Sequence, residues 1–316
     1  MLTDPPVNLL PVDIRGFRHG NTGIDFVHRF DSGKAGPSVM INAATHGNEV
    51  CGAHALKYLF DHDIRPCRGS LYLSFANVAA YESFDERQPT ASRYVEEDFN
   101  RLWSDDILDG SRTSVEIRRA QQLRPAIRQV DYLLDIHSMH LPSPPLMLCG
   151  TAEKGRELAN LVGVPMDIVA DAGHRAGPRL RDYNDFADLK SPKAALLIEC
   201  GQHWDPASSD LAIEASFRFL AGLRIIDDDC AMSHLPSKAP PAQRIIEVTE
   251  AVTVSTDDFA FQHLYQGMEV IAKSGSLLAS DGEREIRTPY DDCVLIMPSR
   301  RLVVGQTAVR LGRIVD

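Results

Sequence analysis

The chain is expected to fold as an α/β protein, with a mixed, mostly parallel central sheet flanked by helices and a small C-terminal all-β domain. Three observations carry this expectation. Short, almost continuously apolar runs alternate with amphipathic stretches through the first two-thirds of the chain, the pattern of strands covered on both faces. A polar, proline-rich stretch, "SHLPSKAPPAQR" (233–244), then interrupts the alternation and reads as a linker. Beyond it come short strand-like pieces separated by Gly, Asp and Pro turns, with no helical period. The expected division is 1–235 for the larger unit and 244–316 for the smaller.

In chain order, residues 14–30, "IRGFRHGNTGIDFVHRF", read as two short strands about the turn signal Gly20-Asn21-Thr22-Gly23. "PSVMINAAT" (37–45) is a strand, and "EVCGAHALKYLFDHD" (49–63) places Val50, Ala53, Leu56, Leu59 and Phe60 on one helical face. "GSLYLSFAN" (69–77) is a further strand, and "TSVEIRRAQQLRPAIRQV" (113–130) an amphipathic helix with a kink expected at Pro125. "DYLLDIH" (131–137), "PPLMLCG" (144–150) and "AALLIECG" (194–201) are short apolar runs of strand length. "SSDLAIEASFRFLAGL" (208–223) closes the series as a helix.

Composition narrows the function classes. With 316 residues, 44% of them hydrophobic, the chain buries a large core. Its net charge of −11 without a basic cluster disfavours nucleic acid and anionic membrane surfaces as partners. The start, "MLTDPPVNLLPVDIRG", lacks the basic and apolar regions of a secretory signal, and no apolar run approaches the roughly 18 residues that span a bilayer. Six scattered cysteines without a CxxC pair fit reduced thiols. The expectation is a cytoplasmic protein acting on a small molecule, with homo-oligomer formation left open.

Chemistry concentrates where apolar strands meet ionisable residues. The run "VMINAAT" leads into His46 and Glu49, "YLLD" into His137, and "AALLI" into Glu199. In open α/β sheets, sites form beyond the carboxyl ends of strands, so these residues are expected to converge although they lie far apart in sequence. Two histidines and a carboxylate are a zinc-ligand set that leaves a position for water, and a further carboxylate serves as the base that takes the water's proton. His46, Glu49 and His137 fit the first role and Glu199 the second. Gly47 is expected to allow the tight turn that returns Glu49 beside His46. A charge placed after "AALLI" lies in a core or a cleft, where an isolated carboxylate is costly.

"HGNE" (46–49), "RYVEEDFNR" (93–101), "LLDIH" (133–137) and "LLIECG" (196–201), in this order, resemble the succinylglutamate desuccinylase/aspartoacylase family, within the zinc carboxypeptidase-like hydrolases. The resemblance spans residues 40 to 201, and the β tail is also similar. It implies one zinc ion per chain and hydrolysis of the amide of an N-acyl amino acid or a similar small amide. Carried over, His46, Glu49 and His137 are the metal ligands and Glu199 the general acid/base. Arg93 polarises the scissile carbonyl, Asn100 and Arg101 hold a substrate carboxylate, and Tyr290 reaches the cleft from the β tail. Aspartoacylase-like members carry a further arginine and tyrosine before the catalytic glutamate. Here that stretch offers Arg181, Tyr183 and Lys190, none of them in register. Other readings are carboxypeptidase-type cleavage of a peptide C-terminus, a metal- or ligand-binding module without turnover, and a β tail that serves assembly. His140 and His203 are expected to be polar pocket residues rather than metal ligands, Trp204 to line the pocket or simply pack, and His54 and Cys200 to be structural.

Overall fold

The computed structural model describes residues 5–173 and 176–315. Its strands are β1 (Val27–Asp31), β2 (Ser38–Ala43), β3 (Ser70–Phe75), β4 (Tyr132–Met139), β5 (Leu146–Leu148), β6 (Asp167–Ala170) and β7 (Ala194–Gln202). They continue as β8 (Arg244–Thr253), β9 (Ala260–Phe261), β10 (Glu269–Ile271), β11 (Leu277–Asp281), β12 (Arg284–Arg287), β13 (Cys293–Ile296) and β14 (Thr307–Val315). The helices are α1 (Cys51–Asp61), α2 (Val78–Glu82), α3 (Asp105–Leu108), α4 (Val115–Gln129), α5 (Glu153–Val162), α6 (Pro206–Gly222) and α7 (Asp228–Met232).

Among the described residues, 11 strands form one sheet in the order β1-β3-β2-β4-β7-β5-β6-β8-β14-β13-β10. The centre, β3-β2-β4-β7, is parallel, and β5 enters antiparallel to β7. A second sheet of three strands, β12-β11-β9, lies in the C-terminal part. Alternate residues of the central strands serve opposite faces. Val39 and Ile41 of β2 join a cluster with α1, α5 and α6, whereas Met40 joins α4 and Trp103 on the other side. Both faces are thus covered, which explains why these strands are apolar without a two-residue alternation.

The sheet runs on past the proline-rich stretch, because β8 pairs parallel with β6. Ile246, Met268, Val294 and Ile296 pack with Leu146, Leu148, Val169 and Leu197 in a single apolar cluster. The elements depart from the sequence expectation in places. The first half of 14–30 is a 3-10 turn, Arg15–Phe17, rather than a strand. Phe17 stacks on Phe60 at 4.3 Å, and its carbonyl meets His28 Nε2 at 2.8 Å, so tertiary contacts fix that segment. Helix α5 and strand β6 occupy 153–170, a stretch for which the sequence reading named no element. Helix α4 runs through Pro125 to Gln129.

Candidate active site

Strand β2 stops at Ala43, and Ala44 takes a left-handed φ of 56° that turns the chain toward α1. His46 and Glu49 lie in this turn. Gly47 is needed here for close approach rather than for its φ: a Cβ would stand 2.3 Å from the backbones of Ala80 and Ser92. Trp204 fixes the turn from the other side, its indole donating to the Asn48 carbonyl at 3.1 Å. His137 and Glu199 are not at strand termini as the sequence suggests. β4 and β7 continue to Met139 and Gln202, and His137 and Glu199 are register partners on these neighbouring strands.

His46, Glu49 and His137 offer ligand atoms that all lie within 4.8 Å of one another, and all three are buried. Each histidine turns Nδ1 to the Glu49 carboxylate, at 2.7 Å for His46 and 2.8 Å for His137. Each turns Nε2 to another carboxylate, Asp98 at 2.9 Å and Asp135 at 2.8 Å. Asp135 is itself fixed by Asn42 Nδ2 at 2.8 Å and Thr45 Oγ1 at 2.9 Å. Burial opposes charge on His137, but Asp135 and Glu49 outweigh it and hold the imidazole well above its ordinary pKa. A carboxylate on Nε2 orients the ring and leaves Nδ1 as donor atom to a cation, the usual arrangement for a metal-binding histidine. Two imidazole nitrogens and one carboxylate suit zinc. The residues present therefore fit the metal that the sequence reading expected.

Glu199 sits beside this group, 7% exposed, and among the described residues its Oε2 has no hydrogen-bond partner. Burial, then the charge of Glu49, pushes its pKa well above the carboxylate range, against the pull of His137 and Arg93. Arg93 closes the group: its guanidinium donates to Asp98 Oδ2 at 3.0 Å and Glu49 Oε1 at 3.3 Å, and about a third of its side chain is exposed. Asn100 accepts from Leu180 N at 2.8 Å, and Arg101 donates to the Asn100 carbonyl at 2.7 Å. His203 is buried, bonded through Nδ1 to Ser138 Oγ at 2.8 Å, and kept neutral by burial, with its pKa down to about 3.

The structure thus brings together His46, Glu49, His137, Glu199, Arg93, Asn100 and Arg101. The contacts described for Tyr290 lie elsewhere. The Tyr290 hydroxyl is held by Thr249 at 2.6 Å and its ring is covered by the Arg313 guanidinium at 4.3 Å, both within the C-terminal part. Arg181 is spent on the carbonyls of Cys149 and Ala195, and Tyr183 on Asp105 and Arg128. Sequence reasoning missed Asp98 and Asp135 as partners of the histidines. For Asp135 the signal was present, since residues two apart on a strand share a face with His137.

An open α/β sheet covered on both faces, with a buried His-Glu-His group that could hold a metal ion beside its parallel strands, defines the class of protein. Residues 35–206, more than half of the chain, match the family described as "Succinylglutamate desuccinylase/Aspartoacylase catalytic domain", and the chain belongs to that family. It is 34% identical over 87 residues to a probable aspartoacylase of Parasynechococcus marenigrum, covering 27% of this chain and 26% of that protein. It is 27% identical over 111 residues to an N-acyl-aromatic-L-amino acid amidohydrolase (carboxylate-forming) of Rattus norvegicus, covering 32% of this chain and 33% of that protein. The matches thus span a third or less of these relatives' own lengths. The fold is also that of succinylglutamate desuccinylase from Vibrio parahaemolyticus, with a TM-score of 0.69 at 14% identity over 92% of this chain and 87% of that one.

Proposed function

We propose that the protein is a zinc-dependent deacylase that hydrolyses the amide bond of an N-acyl amino acid or a similar small amide. The observation that carries the reading is Glu199: a buried carboxylate with a free oxygen, in register beside a His-Glu-His group. Zinc held by His46, Glu49 and His137 would supply an acidified water and polarise the substrate carbonyl. The chain's own residues do the rest. Glu199 takes a proton and returns it to the departing amine, a task open to it because one oxygen of its buried carboxyl has no hydrogen-bond partner among the described residues. Arg93 donates toward the carbonyl oxygen as negative charge develops there. Asn100 and Arg101 hold the substrate carboxylate, for which a guanidinium fork is well shaped. The names of the relatives, aspartoacylase and amidohydrolase, support this class of substrate.

The same reading places the protein in the cytoplasm, supported by six cysteines that are all unpaired. No helix among the described residues is long and apolar enough to cross a membrane. It also keeps residues 244–316 as a separate small β unit joined through about 233–244, although the sheet is shared. The test is Glu199→Gln in purified, zinc-supplied protein, assayed on a panel of N-acyl amino acids. Turnover is expected to fall by about 10²- to 10⁴-fold while bound metal, measured by elemental analysis, stays at the parent level. Undiminished turnover, or a parent protein that takes up no metal, sinks the reading.

A further inference from the structure

Just past Glu199 the chain presents a histidine that the mechanism above leaves unused. β4 and β7 pair His137 with Glu199 and then Met139 with Gln202, so β7 carries one extra residue there. Gly201, with a φ of 111°, lies in this slip. Such a bulge re-aims the side chains that follow it, and the first one beyond the pairing is His203. Its backbone N–H donates to the Met139 carbonyl at 2.8 Å. Both neighbours are pinned, Gln202 Nε2 to the His140 carbonyl at 3.0 Å and the Trp204 indole to the Asn48 carbonyl. His203 is 1% exposed, with its ring 5.6 Å from that of Trp204.

Among the described residues the Ser138 hydroxyl has no acceptor other than His203 Nδ1, at 2.8 Å. It therefore donates to Nδ1, and in a neutral imidazole the proton then sits on Nε2. Burial keeps the ring neutral, against the pull of Glu49. The result is an N–H donor fixed in direction, from which nothing accepts among the described residues. A buried donor without an acceptor is costly unless a ligand supplies one.

The Glu49 carboxylate gives this donor its place in the site. Oε1 faces His46 and Arg93, at 2.7 and 3.3 Å. Asp98, which meets His46 and accepts from Asn100 N at 2.9 Å, ties Asn100 to the same side. Oε2 faces His137 and Ser138 N, at 2.8 and 3.2 Å, and His203 joins that side through the Ser138 hydroxyl. An N-acyl amino acid with its carboxylate on Asn100 and Arg101, and its amide at the His-Glu-His group, directs its acyl group to the Oε2 side.

We propose that His203 is a specificity-determining residue of this site, its Nε2–H donating to an uncharged oxygen on the acyl group of the substrate. The inference rests on the N-acyl amino acid reading above. Acyl groups with a hydroxyl, ether or keto oxygen near the amide supply the acceptor. A carboxylate is disfavoured there, because a neutral imidazole offers it no opposite charge and Glu49 acts on the same ring. A site that donates to an oxygen rejects the analogue lacking it far more strongly than an apolar pocket resolves one methylene.

The experiment measures calorimetric binding in zinc-supplied Glu199→Gln protein, where ligand is not consumed. The ligands are two pairs of N-acyl-L-alanines that differ by a single oxygen at nearly constant shape. N-glycolylalanine against N-propionylalanine sets a hydroxyl in place of a methyl. N-methoxyacetylalanine against N-butyrylalanine sets an ether oxygen in place of a methylene. At least one pair should show about tenfold or greater preference for the oxygen-bearing member. His203→Asn keeps an acceptor for Ser138 but stops short of the Nε2 position, and should abolish that preference by weakening the oxygen-bearing member alone. His203→Gln, whose amide reaches the Nε2 position, should retain part of it. No preference in either pair, a preference that survives His203→Asn, or equal weakening of both members overturns the proposal, as does a protein that binds none of the four. If thermal melting shows His203→Asn to be unfolded, His203→Phe, which keeps a ring in place, replaces it under the same criteria. Equal kcat/KM for the two members of each pair with the Glu199 protein would remove the contact and leave the deacylase reading intact. Oxygen-selective binding that depends on His203, without any hydrolysis, would do the reverse.

Discussion

His137 is gripped at both nitrogens, by Glu49 and by Asp135, and Asp135 is in turn gripped by Asn42 and Thr45. In Asp135→Asn the ring loses the charge that orients it and raises its basicity. Zinc affinity, measured by chelator competition, is expected to fall about 10- to 100-fold, the usual worth of such a partner. Much of this site could be read from residues alone. His46, Glu49, His137 and Glu199 stand out because imidazoles and carboxylates rarely follow apolar strands without a partner. Asp98 did not, because its histidine lies 52 positions earlier and nothing local links them. Arg310 was invisible for another reason. In "TAVRLGRIV" it looks like one polar position of a strand, and only the tertiary fold points it at Asp171.

The elements most easily read were those with a period, such as α1, α4, β2 and β3. The segments that carry Arg93, Asn100 and Arg101 are short 3-10 turns, Pro89–Arg93 and Phe99–Arg101, with no period to read. Their shape comes from a clamp elsewhere. Glu116, fully buried in the first turn of α4, accepts from Val95 N at 2.7 Å, Glu96 N at 3.2 Å and Glu97 N at 3.3 Å. Asn77 Nδ2 adds a fourth bond at 3.2 Å, tying the clamp to the end of β3. Glu96 answers by capping Val115 N at the start of α4. In Glu116→Gln an amide N–H2 would confront backbone N–H groups. The loss of about 1–3 kcal/mol of local hydrogen bonding should speed amide exchange across 94–101 about tenfold or more. Exchange followed by mass spectrometry on peptides from this region checks it, and unchanged protection would show that the loop holds itself.

At the scale of the whole molecule, one sheet joins both halves, and Asp171 is a rivet between them, pairing Arg179 of the first with Arg310 of the second. Burial alone would raise the Asp171 carboxyl. The two guanidinium groups outweigh it and hold the pKa below the ordinary value. A depressed folded pKa stabilises the native state above the unfolded value of about 3.9. That contribution is lost as pH falls further, through the folded pKa. Asp171→Asn should therefore cost about 3–5 kcal/mol near neutrality, because it takes from buried Arg310 its ion-pair partner and leaves Arg179 with Asp182 alone. The gap to the parent should narrow below about pH 4. Denaturant melts of both proteins at a series of pH values decide this, and a pH-independent gap would refute the assignment.

Strand β14 follows every other described strand in the chain, yet it lies between β8 and β13 in the sheet. During synthesis on the ribosome those two strands are complete before their shared neighbour exists. Until it arrives, each presents an open ladder of backbone donors and acceptors, the usual starting point for wrong pairing between chains. The same late strand brings Arg310, so a nascent chain gains its continuous sheet and the Asp171–Arg310 pair in one closing step. Ribosome stalling or premature termination just before β14 would expose cells to an aggregation-prone chain that already holds its His-Glu-His group.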